Sequence, residues 1–162
     1  MAVTADITAT YRGPRKVIAR LLSMGQREDR LLAFLMGGCV LLFIARLPGL
    51  ARQAHLTGSD QNMLMGGALL ALVFMLPLIL YALSWLTYLV VRALGGQGGS
   101  YPARLALFWA LLASSPIALL HGLVAGFIGD GPAQQLVGVL WFGLFMWFWI
   151  SGLVQGYRAA KT

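Results

Sequence analysis

Within the long apolar stretches of this chain, few side chains can do chemistry: His121, Ser114, Ser115, Ser84, Thr87 and Cys39, with no Asp, Glu or Lys among them. His121 carries an imidazole suited to haem or metal ligation or to proton relay. The only other histidine, His55, falls in a connecting segment at a different depth, which disfavours bis-histidine haem ligation within one chain. An interhelical hydrogen bond is the plainer role for His121. Ser114-Ser115-Pro116 offers hydroxyls but no carboxylate-oriented base, so it reads as a kink and not as a nucleophile. There Pro116 frees a carbonyl one turn earlier, and the two serines can satisfy such groups. Cys39 is the only cysteine, which excludes an internal disulfide and a thiolate metal cluster. Proton- or ion-coupled transporters usually rely on an intramembrane carboxylate, and none is present. Neither catalysis nor a cofactor is expected.

The elements that position these residues follow from composition. The chain is 59% apolar and 10% charged, whereas soluble domains are roughly half apolar and about a quarter charged. Lipid is therefore the expected solvent, and an all-α integral membrane protein is the expected fold class. Residues 31–47, 62–94, 105–128 and 134–157 are apolar enough to span, against about 20 residues needed for ~30 Å of hydrocarbon. Pro48 is expected to discourage continuation of the first span, with Arg46 snorkelling to the headgroups near its end. The second stretch would be about 50 Å long as one helix. Read as two helices it would give five spans, but each half would be short and no polar turn separates them. Charge also favours one helix, kinked at Pro77.

With four spans and the N-terminus inside, six basic residues before Leu31 share a side with Arg92, Arg104, Arg158 and Lys161. Only Arg46 and Arg52 lie on the other side, as the positive-inside rule requires. The expected location is a bacterial inner membrane with both termini cytoplasmic. The basic opening lacks the pattern of a cleavable signal. It precedes an apolar span, which points to anionic headgroups and not to nucleic acid. Residues 1–30 form a basic segment in which 14–24 read as a short amphipathic helix on the leaflet surface, with Arg15, Lys16 and Arg20 meeting anionic lipid. Residues 31–157 form the bundle and 158–162 a tail. Glu28, Asp29, Asp60 and Asp130 mark helix starts. Gly-rich connections at 95–99 and 129–131 place successive helices side by side and antiparallel.

Gly122 with Gly126 and Gly152 with Gly156 have the four-residue spacing that lets helix backbones approach. The approach can serve packing within the chain or a partner. The last span is strongly aromatic, and Phe145 and Trp149 lie too deep for an interfacial belt, so they are candidate partner contacts beside His121. Pro77 and Pro116 are candidate hinges.

This order of features resembles bacterial members of the Ypt-interacting protein (Yip) family of small multispanning proteins. The residues that carry the resemblance are the basic opening Tyr11-Arg12-Gly13-Pro14-Arg15, Pro48 after the first span, and Pro77 in a long second one. Ser115-Pro116 and the Gly-rich turn before an aromatic last helix complete it. The resemblance implies a multispanning membrane fold, about five spans in better-known members, and a link of eukaryotic relatives to membrane trafficking and Rab-type small GTPases. It brings no catalytic residues. The expected function is a non-enzymatic scaffold or accessory protein acting through helix contacts with itself or a larger membrane complex. A small transporter, channel or lipid-handling protein is the alternative.

Overall fold

A computed structural model of the chain describes residues 2–161. These form helices α1 (Val3–Arg12), α2 (Pro14–Ser23), α3 (Glu28–Thr57), α4 (Gln61–Leu69), α5 (Leu76–Ala93), α6 (Tyr101–Phe127) and α7 (Pro132–Ala159), with no strand among them. A π-helical stretch, Leu70–Met75, joins α4 to α5 without a break. Four helical stretches are long and apolar enough to cross a membrane: Glu28–Thr57, Gln61–Ala93, Tyr101–Phe127 and Pro132–Ala159. The protein is an all-α integral membrane protein built on a four-helix bundle.

The helix limits have local causes. Glu28 and Asp29 lie in the first turn of α3, where carboxylates favour the N-terminal end of the dipole. The Asp60 carboxylate accepts the Asn62 amide at 2.9 Å and caps α4. Pro132 opens α7, where its missing amide costs nothing. The first span does not stop at Leu47 as expected. It runs through Pro48 to Thr57 and ends at Gly58, which has φ +67°. Pro48 is tolerated because its ring enters a hollow at Gly126 of α6, where a Cβ would lie 2.4 Å from the Pro48 Cβ.

The second stretch is one element. Pro77 has no amide to give to the carbonyl one turn before it, and just ahead of it the helix widens, with the Leu76 amide reaching Ala71 O. A π turn before a proline is a recognised way of absorbing such a break.

The bundle is organised around α6. Every residue from 105 to 115 is buried. Helix α3 packs along one side of α6, α7 along another and α5 more loosely along a third. The α3 and α7 contacts are close because glycines line them. A Cβ at Gly122 would lie 1.7 Å from Ala45 O, one at Gly152 2.9 Å from the Ala106 Cβ, and one at Gly156 2.7 Å from the Pro102 Cβ.

The amphipathic helix is α2, and the structure adds α1 before it. Val17, Ile18 and Leu21 of α2 are buried. Their helix packs on α7 and α6, with the Ile18 Cγ1 3.5 Å from a Cβ built on Gly152. Helix α1 is held to α6 by polar groups. The Trp109 indole donates to Thr10 Oγ1 at 3.1 Å, and that hydroxyl donates to Asp6 O at 2.7 Å. Tyr11 donates its phenol to Ala113 O at 2.8 Å, and burial raises the Tyr11 pKa above its ordinary value, which favours the protonated donor. Asp6 forms an ion pair with Arg20, which ties the hairpin to itself. Ala113 is roughly 18 Å along α6 at 1.5 Å per residue, so the hairpin covers almost half of that helix.

The close contact of α3 with α6 gives a direct prediction. Gly122→Ala forces the backbones apart and should destabilise the bundle by about 1–3 kcal/mol. Gly66→Ala, where nothing lies within 4 Å, should be neutral or stabilising. Thermal unfolding of the purified variants in one detergent reads the difference.

Candidate functional site

The residues singled out from the sequence fall into four groups. The glycines are packed within the chain, Gly122 and Gly126 under α3 and Gly152 and Gly156 against α6. Pro116 sits where Ser115 Oγ donates to Leu112 O at 2.6 Å, the carbonyl that the proline leaves without an amide, and Ser114 Oγ donates to Leu111 O at 3.1 Å. Arg15 and Lys16 are exposed, whereas Arg20 is engaged by Asp6. Arg20 also lines a cavity of about 680 Å³ between α1 and α2 with Arg12 and Lys16.

His121 and Phe145 meet at a different place. Both line a cavity of about 380 Å³ among α3, α5, α6 and α7. Leu72, Leu76, Leu80 and Leu83 form one wall, and Trp141 and Phe145 form the opposite one. Trp141 stacks on Phe145 with ring centroids 5.7 Å apart, and Phe145 meets Trp149 at 5.9 Å. The imidazole edge of His121 rests on α7, where a Cβ at Gly138 would lie 3.4 Å from both Cδ2 and Nε2. The hydrogen bond expected between His121 and a neighbouring helix is not formed among the described residues. No cluster of three or more His, Cys, Asp or Glu able to hold a metal occurs among them either.

The remaining polar group of this cavity is Arg46. It and His121 also line a second, more polar cavity of about 300 Å³ that opens at the far end of the bundle beside Arg52, Gln53 and Asp130. The two arginines differ. Arg52 Nη1 lies 3.4 Å from Gly126 O and 3.4 Å from Phe127 O, at the C-terminal end of α6, where a cation opposes the helix dipole. Arg46 has no hydrogen bond or ion pair among the described residues. Sequence reasoning missed it as a site residue because a span ending at Pro48 makes Arg46 terminal. In the structure it lies eleven residues before the end of α3, and a cation that far inside a helix is the usable signal.

The cavity continues as a seam. Helices α5 and α7 scarcely touch, and the gap between them holds a cavity of about 310 Å³ lined by Thr87, Val90, Trp149 and Ile150. A third, of about 260 Å³, follows between Leu94 and Lys161 at the end carrying the termini. The side chains here are apolar along the gap and cationic at both of its ends, with Arg46 at one and Arg158 and Lys161 at the other. The indole Nε1 atoms of Trp141 and Trp149, both on α7, are buried without a partner.

Stability separates the two arginines. Arg52→Gln removes the cap of α6 and should cost about 0.5–2 kcal/mol, while Arg46→Gln should stay within roughly 0.5 kcal/mol of the parent; thermal unfolding of both variants decides it. Comparison of the chain with protein-family models, with curated proteins and with solved structures finds no match.

Proposed function

We propose that the protein is a non-enzymatic lipid-handling protein, which takes a lipid-like amphiphile from the bilayer into the cleft between α5 and α7. The observation that carries this reading is the pairing of a laterally accessible leucine-lined seam with an unpaired arginine at its outer end. Ligand sites are typically apolar cavities of about 300–1,000 Å³ with a few polar groups that fix orientation, and this one has that character. The leucine wall comes from the span that ends in α5, which is held to α6 less tightly than α3 and α7 are, and it begins at the π turn and Pro77. The π turn and Pro77, one of the two candidate hinges, then lie where the seam would widen to admit a chain.

A scaffold for a larger membrane complex is the second reading, favoured by the exposed Phe74, Met75, Leu78 and Trp85 on the outer face of the same helix. In lipid such a face needs no partner, and the glycine pairs that could have served one are used within the bundle. We further place the protein in a bacterial inner membrane with both termini cytoplasmic. The six basic residues before Leu31, with Arg92, Arg104, Arg158 and Lys161 at the same end, support that orientation. The resemblance to Yip-family proteins joins these as a proposal of descent, with four spans instead of about five.

Reconstituted liposomes test the function. The protein should speed movement of a fluorescent single-chain lipid between leaflets or vesicles, and Ala118→Phe, which fills the cavity, should return the rate towards that of protein-free vesicles. Absence of any acceleration, with purification in fixed stoichiometry beside a larger complex, would replace this reading with the scaffold. A reporter fused after Thr162 should be active in the cytoplasm.

A further inference from the structure

The cleft has a polarity that the lipid-handling reading alone does not explain. Arg46 lies 18 residues into α3, about 27 Å from its start, and has no carboxylate partner among the described residues. Against ~30 Å of hydrocarbon that distance brings Arg46 to the far side of the bundle, where it is exposed and its guanidinium is free to meet an anionic group. The one acidic residue near it, Asp130, lines the outer cavity but forms no ion pair with Arg46 or Arg52. An anion that pairs with Arg46 would then come from outside the chain.

Three features converge on where that anion sits and what it is attached to. Arg46, His121 and Ala45 are the walls common to the polar outer cavity and the leucine-lined inner one. A head placed beside them meets the Arg46 cation and an imidazole that can donate from a ring nitrogen. Beyond this point the lining becomes Leu76, Leu80, Leu83 and Phe145, and then the α5–α7 gap. The cavities follow one another along the gap, which suits one extended chain better than two side by side.

Resting on the lipid-handling reading, we infer that the ligand is a single-chain amphiphile with an acidic head, a carboxylate or a phosphate monoester. Its head lies between Arg46 and His121, and its chain runs down the seam between α5 and α7 towards the end carrying the termini. A guanidinium binds both acids as an ion pair through bidentate hydrogen bonds, whereas an alcohol offers it a single neutral acceptor.

Photolabelling of the full-length protein in phosphatidylcholine nanodiscs tests this, with three probes that carry a diazirine in the same chain and a carboxylate, a phosphate or a hydroxyl as head. The acidic probes should label residues 83–90 and 145–150, as mapped by mass spectrometry, roughly tenfold more strongly than the alcohol, the gain expected of one charge-assisted contact. The stronger of the two acids identifies the head. Arg46→Gln should abolish the preference, and Arg46→Lys should keep most of it. Equal labelling by acid and alcohol, or a preference unchanged in Arg46→Gln, overturns the acidic head and leaves the seam as a lipid site. Failure of all three probes to label the seam overturns the lipid-handling reading as well.

Discussion

The distance at which α3 and α7 approach the backbone of α6 sets the spacing of the rest of the bundle. In hydrocarbon there is no hydrophobic force between helices, so close packing and hydrogen bonds must hold them. The glycines at 122 and 126 on one side, and at 152 and 156 on the other, bring both neighbours almost into backbone contact with α6. No comparable pair serves the second span: Gly66 and Gly67 of α4 face open space, and α5 meets α6 through leucines and Tyr81, whose ring lies 4.9 Å from that of Phe108. Three helices are thus drawn together and the fourth is held away by its own side chains. The seam is the gap that results.

Much of this architecture was legible in the amino-acid order because lipid imposes simple rules. Length and hydropathy placed four spans, and the asymmetry of arginines favoured one long second helix over two short ones. The π turn was not visible, since it arises from how the missing Pro77 amide is accommodated and α and π turns share the same apolar composition. The end of the first span was misplaced for a related reason. Pro48 is a stop signal in isolation, and only the hollow at Gly126, 78 positions later, allows the helix to continue. That single misplacement also hid Arg46, because an arginine beside a helix end calls for no further explanation. His121 and Phe145 were recognisable by type, but their meeting across α6 and α7 is a tertiary fact.

The N-terminal hairpin shows a different balance. Its second helix could be read from the spacing of Val17, Ile18 and Leu21, whereas α1, with the sequence VTADITATYR, is too polar to suggest a buried position. It is fastened by individual hydrogen bonds to Trp109 and to the carbonyl of Ala113, near the point where Pro116 interrupts α6. Polar groups therefore occupy the first half of the central helix on the side that α3, α5 and α7 do not cover.

The π-helical stretch Leu70–Met75 has a consequence for how the gene can vary. One residue more or less in a helix rotates everything beyond it by about 100°, given 3.6 residues per turn. A π turn holds one residue more than an α turn, so loss of one residue between 70 and 75 would restore an ordinary α-helix and leave the faces of Gln61–Leu69 and α5 nearly as they are, whereas loss of one elsewhere in this helix would turn its two parts against each other by that angle. The stretch just ahead of Pro77 is thus the one place in this helix where descendants of the chain should lose a single residue and still keep both flanking faces on their neighbours.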